Sequence, residues 1–373
     1  MQPAIRTEEM TLNMGPQHPS THGVLRFVIQ TDGEIIRRAT PDVGYLHRSI
    51  EKIGELVAYP QFMPYTDRVD YVASMNSNWA YAHAVEKLAN IEIPRRAEII
   101  RILVCELNRI SSHLIGVGAL AMDIGAATPF THGLAEREWV NDLLEEICGA
   151  RLTFNFIRIG GVWMDAPVGW TDRIIEFLNH FEPALKEFNK LISYNEIFVS
   201  RLANVAVVSY EEAIDFGLVG PNLRGSGFRF DLRRDEPYSL YSELEFDVPI
   251  GRGERGRLGD SYDRYMVRIR EMEECCKIVR QAIKMLEPGP IMAKMPRILK
   301  PPAGEVYVRT EAPRGEQGYY LVSDGSPKAY RVKIRTGSFS AMAITEKVSE
   351  GIFLADLIAV IGSFDVVAPE VDR

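Results

Sequence analysis

The spacing of apolar residues divides the chain into a few strong helices framed by short strands. Near the N-terminus, two alternating stretches, 24–30 and 34–40, flank Thr31-Asp32-Gly33, and the central Asp-Gly predicts a hairpin closed by Pro41. Leu46, Ile50, Ile53 and Val57 then recur at spacings of three and four, which predicts a helix over 43–58. Pro60 and Pro64 interrupt that pattern, and a second helix is expected over 68–88. Pro94 sits where a first-turn proline belongs. Behind it Ile99, Ile100, Leu103, Val104, Leu107, Ile110 and Leu114 form a broad core-facing stripe as far as Gly116. His113 borders the stripe as a structural hydrogen-bonding residue, and Cys105 and Glu106 lie off its centre.

The stretch 116–128 is rich in Gly and Ala and carries one acid, Asp123. A carboxylate in such apolar text is either a cap or the partner of a buried base, since unpaired burial is costly. Helices are predicted over 134–148, over 171–198 with a break or kink at Pro183, and briefly over 210–216. An irregular region, 217–259, precedes the clearest helix, capped by Asp260 and ended by Pro288-Gly289-Pro290. Strands follow at 305–311, 317–323 and 328–336, the last two joined by Asp324-Gly325, and then a final helix over 345–361. The pattern is α+β: a mainly helical body with small antiparallel β units near both termini. It divides into an N-terminal hairpin, loop and helix (1–60), a helical body (61–300) and a C-terminal β unit with helix and tail (301–373).

Composition narrows the function classes. At 46% hydrophobic and 25% charged residues the chain is globular, and a net charge of −8 argues against nucleic acid as the main partner. Cys105, Cys148, Cys275 and Cys276 form no C-x-x-C pair, so packed, reduced thiols are expected rather than a cluster ligated by this chain. The N-terminus has neither an apolar signal core nor the composition of a transit peptide, and no run approaches a transmembrane helix. Contact with a membrane would therefore run through partner subunits.

Gly251-Arg252-Gly253-Glu254-Arg255-Gly256 is a literal G-x-G-x-x-G. Its context is wrong for a dinucleotide: Asp247 and Pro249 spoil the preceding strand and the helix begins only at Asp260. An Arg/Gly loop at a subunit contact fits better. Stronger chemistry lies in Gly15-Pro16-Gln17-His18-Pro19-Ser20-Thr21-His22-Gly23, a turning loop with two imidazoles, and in Asp67-Arg68-Val69-Asp70-Tyr71. An imidazole and a phenol both hold protons at neutral pH, and a quinone accepting two electrons needs two protons at its oxygens. A carboxylate on the second imidazole nitrogen would raise the histidine pKa and fix its tautomer; Asp123 is a candidate.

Several motifs occur in a familiar order: 15–24, Gly44-Tyr45-Leu46-His47-Arg48, Arg68-Val69-Asp70-Tyr71, Asp123-Ile124-Gly125-Ala126, Gly149-Ala150-Arg151, Arg158-Ile159-Gly160-Gly161-Val162 and the Val371-Asp372-Arg373 end. Over essentially its whole length the chain resembles the 49 kDa subunit of respiratory complex I, the proton-pumping NADH:quinone oxidoreductase. The resemblance implies a fold like the nickel–iron hydrogenase large subunit and a role, only within the assembled enzyme, in binding, protonating and reducing quinone. It matches His22 and Tyr71 to the pair at the quinone head group and Asp123 to the acid that pairs with the histidine. Arg48 matches an arginine near the terminal 4Fe–4S cluster of a neighbouring subunit, and His18 belongs to the site loop as a shaping residue.

The implied substrate is menaquinone or ubiquinone, with FMN farther off in other subunits. The implied partners are the terminal-cluster subunit, the 30 kDa subunit and the membrane subunit that forms the quinone channel, at the cytoplasmic face of the inner membrane. Hydrogenase activity is excluded because cysteine pairs are missing: Asp70 and Ala73 stand at the first pair and Val367 and Glu370 at the second. Thr153 stands where mitochondrial members often have histidine, which argues for weak proton coupling at the cluster and a lower-potential acceptor such as menaquinone. A relative fed by ferredoxin or another donor and a non-catalytic assembly scaffold are the alternative readings.

Overall fold

The computed structural model describes residues 9–18 and 23–373. The expected N-terminal hairpin is present as β2 (Arg26–Asp32) and β3 (Ile35–Asp42), with Asp32 opposite Ile35. A further strand, β1 (Glu9–Met14), pairs antiparallel with β2 from Glu9↔Asp32 to Met14↔Phe27. The predicted 43–58 helix is shorter. Residues 43–49 form a loop because the Asp372 carboxylate takes the Gly44 and Leu46 amides at 2.8 and 2.6 Å. Only α1 (Ile50–Leu56) is helical there, and α2 (Tyr59–Thr66) accepts Pro60 in its first turn and carries Pro64 inside it.

The helix expected from 68 begins later, as α3 (Ser74–Ala89), because the Asp70 carboxylate holds the Val72 and Ala73 amides in a turn at 3.1 and 3.2 Å. The stripe after Pro94 is one 29-residue helix, α4 (Arg95–Asp123), which runs through Gly116 and Gly118. Those glycines admit neighbours: a Cβ on Gly116 would lie 2.7 Å from Asp365 Oδ1, and one on Gly118 would lie 3.2 Å from the Phe130 backbone. Cys105 and Glu106, expected off the centre of the stripe, are both fully buried, because α4 is enclosed by α3, α5 (Ala127–Cys148), α11 (Ser261–Met285) and α13 (Leu354–Phe364).

A two-residue pair, β4 (Ile157–Arg158) with β5 (Gly161–Val162), turns at Gly160, whose φ is +95°. The buried Arg101–Glu86 pair holds this turn: Arg101 donates to the Arg158 carbonyl at 2.8 Å and Glu86 accepts the Gly160 amide at 2.8 Å. Next, α6 (Trp170–Phe188) passes through Pro183 without a break. The discontinuity falls later, in a π turn (Asn189–Ser193) before α7 (Glu196–Leu202). The 217–259 region is mostly irregular, as expected, with α8 (Tyr210–Asp215) before it and short α9 (Gly220–Gly225) and α10 (Leu232–Asp235) within it.

Asp260 caps α11 through the Asp263 amide at 2.9 Å, as its sequence predicts. The C-terminal sheet, β6 (Gly304–Ala312), β7 (Gly315–Ser323) and β8 (Arg331–Arg335), is antiparallel in that order. In place of one final helix there are two, α12 (Gly337–Val348) and α13, separated by a turn at Gly351 with φ +79°, followed by α14 (Ala368–Asp372). The architecture is α+β. The large core joins α3, α4, α6 and α11 to β6–β8, and a second core packs β1–β3 against α12 and α13. Cys105, Cys275 and Cys276 lie in the core, and burial pushes the Cys276 thiol up to about 12. No helix among the described residues is long and apolar enough to cross a membrane.

Candidate functional site

Tyr71 projects from the loop between α2 and α3, which the Asp70 turn makes rigid. Its ring is half-exposed and lines a cavity of about 70 Å³ with Val72, Ile115, Gly116, Ala119, Arg314 and 365–367. Behind the cavity stands a buried ionic cluster. Arg314, in the turn between β6 and β7, donates from Nη1 to Asp70 Oδ2 at 2.7 Å and to Ser112 Oγ at 3.2 Å. From Nη2 and Nε it reaches Asp365 Oδ1 at 3.2 Å and the Asp365 carbonyl at 2.9 Å. Arg268 of α11 lies 3.6 Å from Asp365 Oδ2. Asp365 follows α13 in left-handed backbone, φ +53°, which turns the chain so that its carboxylate enters the space Gly116 leaves open.

Burial and these charges together set the state of the phenol. Burial raises the Tyr71 pKa; Arg314 opposes the rise, and Asp70 and Asp365 add to it. Tyr71 is therefore a neutral O–H at physiological pH, able to donate one proton. Glu370 on α14 is buried in the same cluster, with Oε2 accepting from the Ser338 hydroxyl.

Asp123 is the last residue of α4, one turn beyond Ala119 on the same helical face. Its Oδ2 would lie 3.5 Å from a Cβ on Gly362 of α13. A carboxylate at a helix C-terminus opposes the helix dipole. His22 lies outside the described residues; Gly23, the next residue along, would place a Cβ 3.4 Å from Ala368 Cβ.

Arg48 is exposed, and its Nη2 donates to the Arg68 carbonyl at 3.3 Å, three residues from Tyr71. Beside it Asp67 is fully buried, accepting from Asn78 Nδ2 at 2.8 Å and the Asn155 amide at 3.4 Å, and burial pushes its carboxyl up to about 6. Thr153 lies in the same loop as Asn155 and follows Leu152, whose carbonyl accepts from Ser74 Oγ at 2.8 Å. His18 sits elsewhere, in an apolar groove of about 770 Å³ with Leu12, Met14, Phe353, Leu354 and Ile358. That groove lies along the first turns of α13, and the Tyr71 cavity lies beyond its end.

Tyr71 thus shares its cavity with Ala119 of α4, Asp123 follows one turn farther along that helix, Arg48 stands behind the Tyr71 loop and His18 lines a different groove. Sequence reasoning passed over Arg314 and Arg268. The available signal was Pro313-Arg314-Gly315: an arginine in a tight turn whose glycine, φ +107°, allows close backbone approach at Val219 and Gly220.

A family model described as "Respiratory-chain NADH dehydrogenase, 49 Kd subunit" matches residues 123–302 and 295–373. The chain belongs to this family. It is 62% identical over 368 residues to a D-type subunit of NADH-quinone oxidoreductase from Anaeromyxobacter dehalogenans, covering 99% of this chain and 97% of that one. A protein of the same name from Sorangium cellulosum is 61% identical over 369 residues, covering 98% and 95%. The D-type subunit of NADH-quinone oxidoreductase from Bacillus cereus is 50% identical over 369 residues, covering 99% and 100%.

Proposed function

We propose that the chain is the quinone-site subunit of a proton-translocating NADH:quinone oxidoreductase, complex I, active only with its partner subunits. It would sit peripherally at the cytoplasmic face of the membrane, held by a membrane subunit that completes the quinone channel. Electrons would arrive from a terminal 4Fe–4S cluster in a neighbouring subunit, fed by a more distant FMN. The single observation that carries this reading is the Tyr71 phenol, neutral and half-exposed, over a cavity backed by Asp70, Arg314 and Asp365.

Reduction of a quinone to its quinol takes up two electrons and two protons. In this reading Tyr71 O–H donates to one quinone oxygen and the His22 imidazole to the other or to the same one. Asp123 orients His22 and stabilises its charged form. Burial keeps the phenol from ionising, and the Asp70 turn of the cluster behind it holds its loop. A cavity of about 70 Å³ holds one or two waters rather than a ring, so a partner subunit must supply the outer wall. Arg48, at the back of the Tyr71 loop, faces outward for the neighbour that carries the cluster.

The test is Tyr71→Phe in the assembled membrane complex. Removing a positioned proton donor lowers quinone turnover by about 100-fold or more. NADH oxidation by a soluble acceptor that bypasses quinone stays unchanged. Wild-type quinone turnover in that variant would overturn the assignment.

A further inference from the structure

The wall behind Tyr71 contains one carboxyl more than its cations can satisfy. Asp70 and Asp365 are balanced by Arg314 and Arg268. Arg314 has already committed four of its N–H donors, to Asp70, to Ser112 and twice to Asp365. Glu370 is the third acid. It is 1% exposed, and the Ser338 hydroxyl donates to Oε2 while itself accepting the Val367 amide at 3.2 Å. Oε1 is buried with no hydrogen-bond partner among the described residues.

The groups that face this carboxyl come from every element packed around it. Asp70 approaches from the loop before α3, Asp365 from the end of α13 and Arg314 from the β6–β7 turn. The Ser338 hydroxyl comes from α12, and the Tyr319 phenol of β7 feels the Glu370 charge as well. Two of these groups are negative and one is positive. Burial, and after it Asp70, push the Glu370 carboxyl up to about 8, against Arg314 and Ser338. A neutral acid fits this position. A carboxylate would be an unmatched charge whose nearest relief is the guanidinium already holding Asp70 and Asp365.

We propose that Glu370 is a positioning residue for Tyr71: as a neutral acid it leaves Arg314 committed to Asp70 and Asp365, and as a carboxylate it draws Arg314 away and loosens the wall behind the phenol. Glu370 touches no substrate and acts only through Arg314. The inference rests on Tyr71 being the quinone-side donor.

Glu370→Gln is the direct test, because the amide keeps an acceptor for Ser338 and cannot ionise. Quinone turnover is measured across pH in the assembled membrane complex, divided at each pH by NADH oxidation with a soluble acceptor. An acid titrating at about 8 is roughly tenfold less populated in its neutral form at pH 9 than at pH 7, so the wild-type ratio falls over that range, by at most about tenfold. In Glu370→Gln the two values converge. A variant that keeps the wild-type alkaline fall overturns the proposal.

Ser338→Ala serves where Glu370→Gln does not assemble. It removes the donor that favours the carboxylate, so the fall moves to higher pH; an unmoved fall overturns the proposal. Tyr71→Phe measured alongside separates the two claims. Retained quinone turnover there removes the site itself, whereas its loss together with an unchanged Glu370→Gln profile removes only the role of Glu370.

Discussion

Tyr241 and Tyr71 both stand against buried ionic clusters, yet only one is available for chemistry. Tyr241 is fully buried and its hydroxyl donates to Glu106 Oε1 at 2.7 Å. Around it Glu271 collects Arg233 at 2.9 Å, Arg224 and His113 at 3.2 Å and Arg109 at 3.4 Å. His113 is thus the structural hydrogen-bonding residue its place beside the α4 stripe suggested. Burial alone would raise the Glu271 pKa, but Arg224, His113 and Arg109 hold it well below the ordinary carboxylate value. Tyr71 has the same kinds of neighbours, Asp70, Arg314 and Asp365, but its phenol opens on a cavity. A buried lattice of arginines and acids is therefore no sign of function by itself. What distinguishes the proposed site is a donor at the edge of the lattice and not inside it.

The sharpest way to break this comparison is Glu271→Ala. It leaves three buried guanidiniums short of an acceptor, and breaking a buried ion pair costs roughly 3–5 kcal/mol. The variant should fail to accumulate in the complex, seen as loss of the chain from purified membranes. Assembly at wild-type levels would show that the inner lattice is not what holds the body together.

Tyr241→Phe is the matched counterpart of Tyr71→Phe. It removes a hydrogen bond to a charged acceptor, worth about 1.5–3 kcal/mol, so the melting temperature of the complex falls while turnover per assembled complex does not. Loss of turnover without loss of stability would erase the distinction between the two tyrosines.

The smallest effect concerns Asp67. Its folded pKa of about 6 is raised from 3.8, so the native state binds the proton more tightly than the unfolded chain. The associated stability is present in full below about pH 3.8 and is lost as pH rises through about 6. Asp67→Asn keeps an acceptor for Asn78 and the Asn155 amide and removes that slope. The melting temperature of the variant relative to wild type should therefore rise between about pH 4 and pH 7, and a constant difference would place the titration elsewhere.

Local signals made the outer frame legible. Asp32-Gly33 and alternation marked the β2–β3 hairpin, and Asp260 with its apolar stripe marked α11. Met10, Leu12 and Met14 also alternate, so β1 carried a strand signal that the polar residues between them obscured. The long α4 was cut short in sequence because Gly116 resembles a helix end, when its purpose is to admit Asp365 from 249 positions later. Nothing local encodes that approach. Tyr71 and Asp123 were legible through residue type and motif, whereas the packing of the Tyr71 loop against Gly116 and Ala119 of α4 emerged only with the fold. Arg314 and Arg268 were not, and Glu370 was marked only as standing where a cysteine is missing, because a buried charge is recognised by its partners and these lie in distant parts of the chain.

The most direct test of the central claim is a density map of the intact complex with a short-chain quinone bound during inhibition of turnover. The account predicts one quinone oxygen within hydrogen-bonding distance of Tyr71 Oη, with the ring against Gly116, Ala119 and Val367. A fully occupied head group that makes no contact with Tyr71 would contradict it.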